Sequence, residues 1–141
     1  MSVQLSRKIY FSSAHRYHNQ AWSDEKNREI FGPCNNPHGH GHNYELEVTL
    51  SGPVDPDTGM VINLTDLDQI LKDEIMAPLD HRHLNYEVSY FKENVPTTEA
   101  IAIFCWNQIL DALPNTLKLE KVRLHENAEL FVEYYGETLD S

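Results

Sequence analysis

The order of strand-like and helix-like segments predicts an α+β fold, an antiparallel four-stranded sheet with a helix pair on one face. Three observations carry this expectation. Apolar–polar alternation, the period of a half-buried strand, occurs in two early segments and two late ones. Two segments with apolar stripes at helical spacing lie between them. Strands and helices are thus segregated along the chain, as in a sheet covered on one side. A length of 141 residues supports one core, so a single domain over residues 1–141 is expected.

In the first strand Val3, Leu5, Ile9 and Phe11 share a face, and His15 continues it at the strand's end. Residues 23–32 form a short helix, with Ser23 as N-cap and Gly32 as C-cap. The second strand sets Tyr44, Leu46, Val48 and Leu50 against Asn43, Glu45, Glu47 and Thr49. Asp55 to Gly59 make a turn into a minor strand, Met60-Val61-Ile62. The first long helix runs from about Thr65 to Met76, with Leu67, Ile70, Leu71 and Ile75 as its stripe. Thr65 and Asp68 resemble a capping box, and Pro78 ends the helix. The second starts after Pro96, capped by Thr97 or Thr98, and runs to about Leu113. Its apolar positions include Ile101, Phe104, Cys105, Ile109 and Ala112. Val122, Leu124 and Glu126 share a face of the third strand; Leu130, Val132 and Tyr134 share a face of the fourth. Such a sheet leaves two open edges, and oligomerisation would cover them.

A net charge of −11 argues against nucleic acid, which calls for a basic patch, and against anionic membranes. No run is long enough to span a bilayer. The N-terminal residues Met1 to Lys8 lack the apolar region of a signal peptide. Two cysteines, Cys34 and Cys105, do not make a disulfide framework, and Cys105 falls on the apolar stripe of a helix. A cytoplasmic enzyme is the expectation.

The chemistry concentrates in Cys34-Asn35-Asn36-Pro37-His38-Gly39-His40-Gly41-His42-Asn43. In an extended segment, residues two apart point the same way, so His38, His40 and His42 converge. Their parity is that of the apolar face of the following strand. Inward histidines need partners, and a metal is one; imidazole is the commonest metal ligand. His15, at the end of the neighbouring strand, is a further ligand within reach. Cys34 is either a fourth ligand, closing a structural site, or a separate base or nucleophile. Asp80-His81 is either an acid–base pair or a turn with a solvated imidazole. Glu126 has the apolar parity of its strand. It is either a buried carboxylate reading an amino-amide heterocycle or a solvated residue past the strand's end. Thr97, Thr98 and Glu99 read first as a helix N-terminus, whose hydroxyls and amides also suit a polar ligand edge.

Taken together, Phe11-Ser12-Ser13-Ala14-His15, the Cys34–Tyr44 stretch, Gly59 to Leu67, Pro78-Leu79-Asp80-His81, Thr97-Thr98-Glu99 and Glu126 resemble the 6-pyruvoyltetrahydropterin synthase family, in its animal-type form. The resemblance runs from about Leu5 to Gly136. It implies a catalytic Zn2+ held by His15, His40 and His42, a catalytic Cys34, and a catalytic Asp80–His81 pair. It implies that Glu126 anchors the pterin, with Thr97 and Thr98 near its ring. It also implies the tunnelling fold and a homohexamer of two stacked trimers, with sheets joined into a β-barrel and active sites between subunits. One departure is His38, where the family pattern has a small amide such as Asn.

The reaction so implied is loss of triphosphate from a small-molecule pterin, 7,8-dihydroneopterin triphosphate, with rearrangement of its three-carbon side chain to 6-pyruvoyltetrahydropterin. Zinc would act as a Lewis acid, Cys34 would move side-chain protons, and Asp80–His81 would relay the second. Arg16, Lys26, Arg28 and Arg82 are the local cations that could meet the triphosphate. Two other readings compete. One is 6-carboxytetrahydropterin synthase, which starts from the same substrate. Five residues separate Cys34 from His40, as in the pyruvoyl-forming relatives, whereas the carboxy-forming ones have a shorter gap. The other is a zinc-stabilised structural domain with Cys34 as fourth ligand, which would fold only with metal.

Overall fold

The computed structural model describes residues 2–137. Strand β1 (Ser2–His15) pairs antiparallel with β2 (His40–Pro53) along its whole length. Between them lie α1 (Asp24–Phe31) and a 3-10 turn, Gly32–Asn35. Ser23 caps α1 through a bond from the Lys26 amide, and Gly32 ends it at φ 56°, as the sequence predicts. After β2 come α2 (Leu64–Leu71), a π-helical turn (Lys72–Met76) and α3 (Ala77–Leu79). Then follow β3 (Arg82–His83), the one-turn helices α4 (Leu84–Glu87) and α5 (Tyr90–Glu93), and α6 (Thr98–Ala112). Strands β4 (Lys118–His125) and β5 (Phe131–Tyr134) complete the sheet.

The α+β class holds, but the sheet is five-stranded and mixed rather than four-stranded and antiparallel. Its order is β3-β1-β2-β4-β5, and β3 runs parallel to the end of β1. Within one chain this sheet is open, so no barrel is closed. The extra strand is Arg82–His83, not Met60–Ile62. The chain turns back on itself there, with Asp55 N–H bonded to the Met60 carbonyl, and Val61 and Ile62 form a bend. Asn63, not a Thr65–Asp68 box, caps α2, its side-chain oxygen accepting from the Thr65 amide at 3.0 Å. Pro78 does not stop the helix. The wider π turn precedes it, and the chain leaves helical geometry only at Asp80.

The inner face carries the core. Tyr44, Leu46, Val48 and Leu50 of β2 are buried with Phe11 of β1 and with Leu119, Val122 and Leu124 of β4. Leu67, Leu71, Ile75 and Leu79 close over them from the α2–α3 run, and Ile101, Ala102, Cys105 and Ile109 from α6. Leu119 breaks the even parity of Val122 and Leu124. A bulge explains it, because the register shifts between Thr49 and Leu50 and leaves Glu120 unpaired in β4. The outer face is polar. Lys8, Glu47, Arg123 and Glu133 lie side by side across four strands, and Arg123 holds Glu133 at 3.0 Å. Such a face favours water over a second helix layer, which leaves the helices on one side.

Leu46 sits at the centre of this core with no exposed surface. Leu46→Ala should lower unfolding stability by about 3 kcal/mol through lost burial and a residual cavity. Denaturant titration at fixed protein concentration checks this; a loss under about 1 kcal/mol would place the core elsewhere.

Candidate active site

The β1–β2 register sets His15 opposite His40 and Ser13 opposite His42. The three imidazoles therefore meet at the ends of two strands. Ring centroids are 4.8 Å apart for His15–His40, 5.1 Å for His15–His42 and 5.1 Å for His40–His42. One nitrogen from each lies within 4.8 Å of the others. His38 stays outside, although it shares their parity. Strand β2 begins only at His40, and Gly39 at φ 72° breaks the alternation before it. His38 is exposed, with its amide bonded to the Asn36 side chain. Gly39 is also a close approach: a Cβ there would come within 2.8 Å of both the His15 carbonyl and His83 Nε2.

The surroundings of His15 fix its chemistry. Its Nδ1–H donates to the Pro96 carbonyl at 2.9 Å, and the Tyr44 hydroxyl lies 3.2 Å from the same nitrogen. A carbonyl only accepts, so the proton sits on Nδ1 and Nε2 keeps a lone pair. Burial above all pushes the His15 pKa down to about 4, with the neighbouring histidines adding to it and the Pro96 bond opposing. The ring is neutral at neutral pH, as a metal ligand must be. Nε2 of His15 and Nε2 of His42 are buried with no hydrogen-bond partner. Leaving such atoms unpaired is costly, and a bound cation would satisfy them. The residues present therefore fit a metal ion.

Beside the cluster lies a buried carboxylate. Strand β4 ends at His125, and the Glu126 amide bonds to the Leu130 carbonyl as the chain turns. Its side chain nevertheless points inward and is only 12% exposed. One carboxylate oxygen takes a bond from the Thr98 hydroxyl at 3.3 Å and lies 3.4 Å from His42 Nε2, close but without hydrogen-bond alignment. The two threonines divide. Thr98 is buried and faces Glu126, whereas Thr97 uses its hydroxyl to cap α6 through the Ala100 amide. Tyr17 packs edge-on to His15 at 5.1 Å. Burial first, then the Glu126 and Cys34 charges, push its hydroxyl up to about 12.

Cys34 is a half-buried free thiol on the 3-10 turn, whose carbonyl accepts the Tyr17 amide at 2.8 Å. Burial first and Glu126 second push its pKa up, so a nearby cation would be needed to favour thiolate. Among the described residues, the group able to hold a metal comprises the three histidines and not Cys34.

Asp80 and His81 form a pair at the edge of β1, where the chain leads into β3. His81 Nδ1 lies 3.0 Å from one Asp80 oxygen, and the other oxygen accepts the Ser12 amide at 2.8 Å. That backbone bond first, with His81 assisting, holds the Asp80 carboxyl below its ordinary range. The His81 amide bonds to the Ser12 carbonyl, and φ is 58°, a conformation that costs a non-glycine residue energy. The strain presents an imidazole that is 83% exposed. It lines a cavity of about 560 Å³ with Ser12, Gly41 and His42. Among the described residues no hydrogen bond or ion pair joins this pair to Cys34.

Sequence parity alone could have added two residues. Tyr17 is two positions past His15, and Tyr44 two past His42, so each continues a histidine face. The Pro96 carbonyl has no side-chain signal, because any residue offers one. His83 Nδ1 is a further buried, unpartnered atom, held where β3 pairs with Ala14.

This arrangement has close relatives. The family model for 6-pyruvoyl tetrahydropterin synthase (PTPS) matches residues 4–137. The 6-pyruvoyl tetrahydrobiopterin synthase of Poecilia reticulata is 49% identical over 133 residues, covering 94% of this chain and 90% of that protein. The Homo sapiens enzyme of the same name is 47% identical over 135 residues, 96% of this chain and 92% of that one. The structure of Caenorhabditis elegans 6-pyruvoyl tetrahydropterin synthase superposes with a TM-score of 0.91 at 38% identity, covering 97% of each chain. With its fold and nearly its whole length accounted for by these matches, the chain belongs to the 6-pyruvoyl tetrahydropterin synthase family.

Proposed function

We propose that this chain is a zinc-dependent lyase of tetrahydrobiopterin synthesis. It converts 7,8-dihydroneopterin triphosphate to 6-pyruvoyltetrahydropterin and triphosphate. The observation that carries the reading is a buried carboxylate, Glu126, set beside three converging histidines with unpartnered nitrogens. That pairing suits a substrate with an amino-amide ring at one end and adjacent hydroxyls at the other. Family membership points the same way.

His15, His40 and His42 would hold the zinc, which when bound supplies Lewis acidity beside the side-chain hydroxyls. Glu126 receives the ring N–H and amino donors through charge-assisted bonds, with Thr98 steadying one oxygen. Thr97 acts through the helix start rather than by direct contact. Cys34 takes up and returns the side-chain carbon protons. The electron pair from the first C–H reduces the ring C=N bond, which gains two protons as that carbon's hydroxyl becomes a ketone. The pair from the second expels triphosphate, which leaves with its C–O bonding pair. The resulting enol then gains a proton on its terminal carbon as it becomes the second ketone. Asp80 orients His81 through Nδ1, leaving Nε2 to hold the second proton. The side chain is oxidised as the dihydropterin ring is reduced, so no external oxidant or reductant is needed.

Within one chain Asp80–His81 is bonded to the β1 edge, and among the described residues no hydrogen bond or ion pair links it to Cys34. The reading joins them between subunits of a homohexamer, a dimer of trimers. Most of β1 offers an open edge, because β3 covers it only at Ser13 and Ala14, and β5 is the other edge. Exposed Tyr10 and Phe131 lie on strands at these edges. Joining such edges would close the sheets into a barrel.

Product identity tests the reaction. Mass spectrometry should show all three side-chain carbons retained, whereas stoichiometric acetaldehyde with a carboxypterin would select the 6-carboxytetrahydropterin reading. Cys34→Ala should keep bound zinc and the fold while kcat falls about 100-fold or more. Loss of zinc by that variant would favour Cys34 as a ligand. Glu126→Gln should weaken substrate binding at least about tenfold at unchanged zinc content; an unaltered titration curve would remove Glu126 from the substrate site. Light scattering should give about six times the 16.3 kDa chain mass, and a fully active monomer would rule out shared sites.

A further inference from the structure

The chain has five arginines, and the fold sorts them. Arg7 is paired with Asp68, Arg82 with Glu87 and Arg123 with Glu133. Arg16 and Arg28 have no carboxylate partner among the described residues, and both line one cavity of about 560 Å³. Two guanidinium groups without carboxylate partners thus share one cavity in a chain of net charge −11. Of the other cations near the site, Lys26 is drawn over the Trp22 ring at 4.3 Å.

The cavity is built from the same segments as the site. Arg16 follows His15 in β1's continuation, and Asn35 and Asn36, also in the lining, follow Cys34. Arg16 is held firmly. Its amide and carbonyl bond to the Asn85 side chain at 2.8 Å each, and its Nε donates to the Asn35 carbonyl at 3.1 Å. That leaves both Nη groups as donors. His18 lines the cavity too. The Asn35 side-chain amide donates to the Tyr17 carbonyl and lies 3.1 Å from His18 Nδ1. An NH2 group only donates, so Nδ1 accepts and the His18 proton sits on Nε2, a third donor. Asp24 is the single carboxylate in the lining, and it is exposed.

We propose that this cavity is the polyphosphate subsite, with Arg16 and Arg28 pairing with phosphate oxygens and His18 Nε2–H donating to another. The assignment rests on the proposed reaction and names the part of the chain that meets the leaving group. Forked guanidinium groups match phosphate geometry. An exposed Arg28 also leaves the departing triphosphate a path to water.

The test uses the zinc-loaded, full-length protein with inorganic triphosphate as probe, titrated calorimetrically at low salt. Arg28→Gln and Arg16→Gln should each raise the triphosphate Kd about five- to tenfold and raise the substrate KM similarly. Added salt should weaken the wild-type protein more than either variant. Binding of dihydroneopterin, which lacks phosphates, should not change. Lys26→Gln, the same charge change outside the cavity, should leave the triphosphate Kd unaltered. Arg28 is exposed on α1, so its variant reports on the subsite even where loss of the Arg16–Asn35 bond impairs folding. Unchanged triphosphate affinity in Arg28→Gln, or an equal loss in Lys26→Gln, overturns the subsite. Arginine-dependent triphosphate binding in a protein that does not convert the pterin would uphold the subsite and reject the reaction.

Discussion

The pairing register of β1 and β2 is the constraint on which the rest depends. Side chains alternate along a strand, so a slip of one residue would turn every buried group of β1 outward. In the observed register Phe11 stacks on Tyr44 at 5.1 Å, which buries two rings in the core. Four residues further along β1, the same register puts His15 opposite His40. Core packing and the histidine cluster are thus set by one choice. Apolar burial along the strands favours that choice by several kcal/mol, and this stabilisation can offset the cost of crowding three imidazoles at the strand ends.

That cost is visible in the electrostatics. Burial pushes His15 down to about 4, and it lowers His42 as well. Burial thus disfavours a proton on either ring. Glu126 works in the opposite sense, favouring a charged His42 and disfavouring a Cys34 thiolate. Without a cation, burial thus favours the neutral forms of His15, His42 and the Cys34 thiol. A divalent ion among the histidines would reverse the balance at Cys34 while leaving Glu126 available to a ligand. The same folded scaffold would then carry both an acidified thiol and a carboxylate able to read a heterocycle.

Much of this was legible in the sequence because it follows from periodicity. Parity placed His15, His40 and His42 on inner faces, and the structure brings these three together. Parity also misled at His38, since it says nothing of where a strand begins. The start depends on Gly39 at φ 72°, whose packing against the His15 carbonyl is a tertiary contact. Strand β3 was missed for a related reason. Two residues carry no alternation, and Arg82–His83 becomes a strand only because Asp80 and His81 bond to the Ser12 backbone and lay the chain beside β1. Met60–Ile62 has strand-like residues but pairs with no strand among the described residues. Glu126 was ambiguous because its strand does end beforehand. Its inward direction comes from the turn to Leu130 and from Thr98, which is 28 positions away in sequence.

The separation of Cys34 from Asp80–His81 bears on why such a small chain would assemble. The Cys34 carbonyl holds the Tyr17 amide and Tyr17 packs on His15, whereas His81 is exposed at the β1 edge and is bonded to Asp80 and Ser12. Bending one chain to unite them would break β1, since Ser12 bonds both members of the pair. In the proposed assembly a neighbouring copy would bring the pair to Cys34 without distorting either. The pair's environment suits that role. Asp80 is tied to the backbone, His81 is tied to Asp80, and the strain at φ 58° fixes an exposed imidazole in one direction. An exposed, rigid donor costs conformational energy in the isolated chain and recovers it only against a partner surface. The open edge of β1 runs into the same region. Edge pairing would therefore cover the unpaired backbone and place His81 at a subunit boundary, so that assembly and completion of the site become one event.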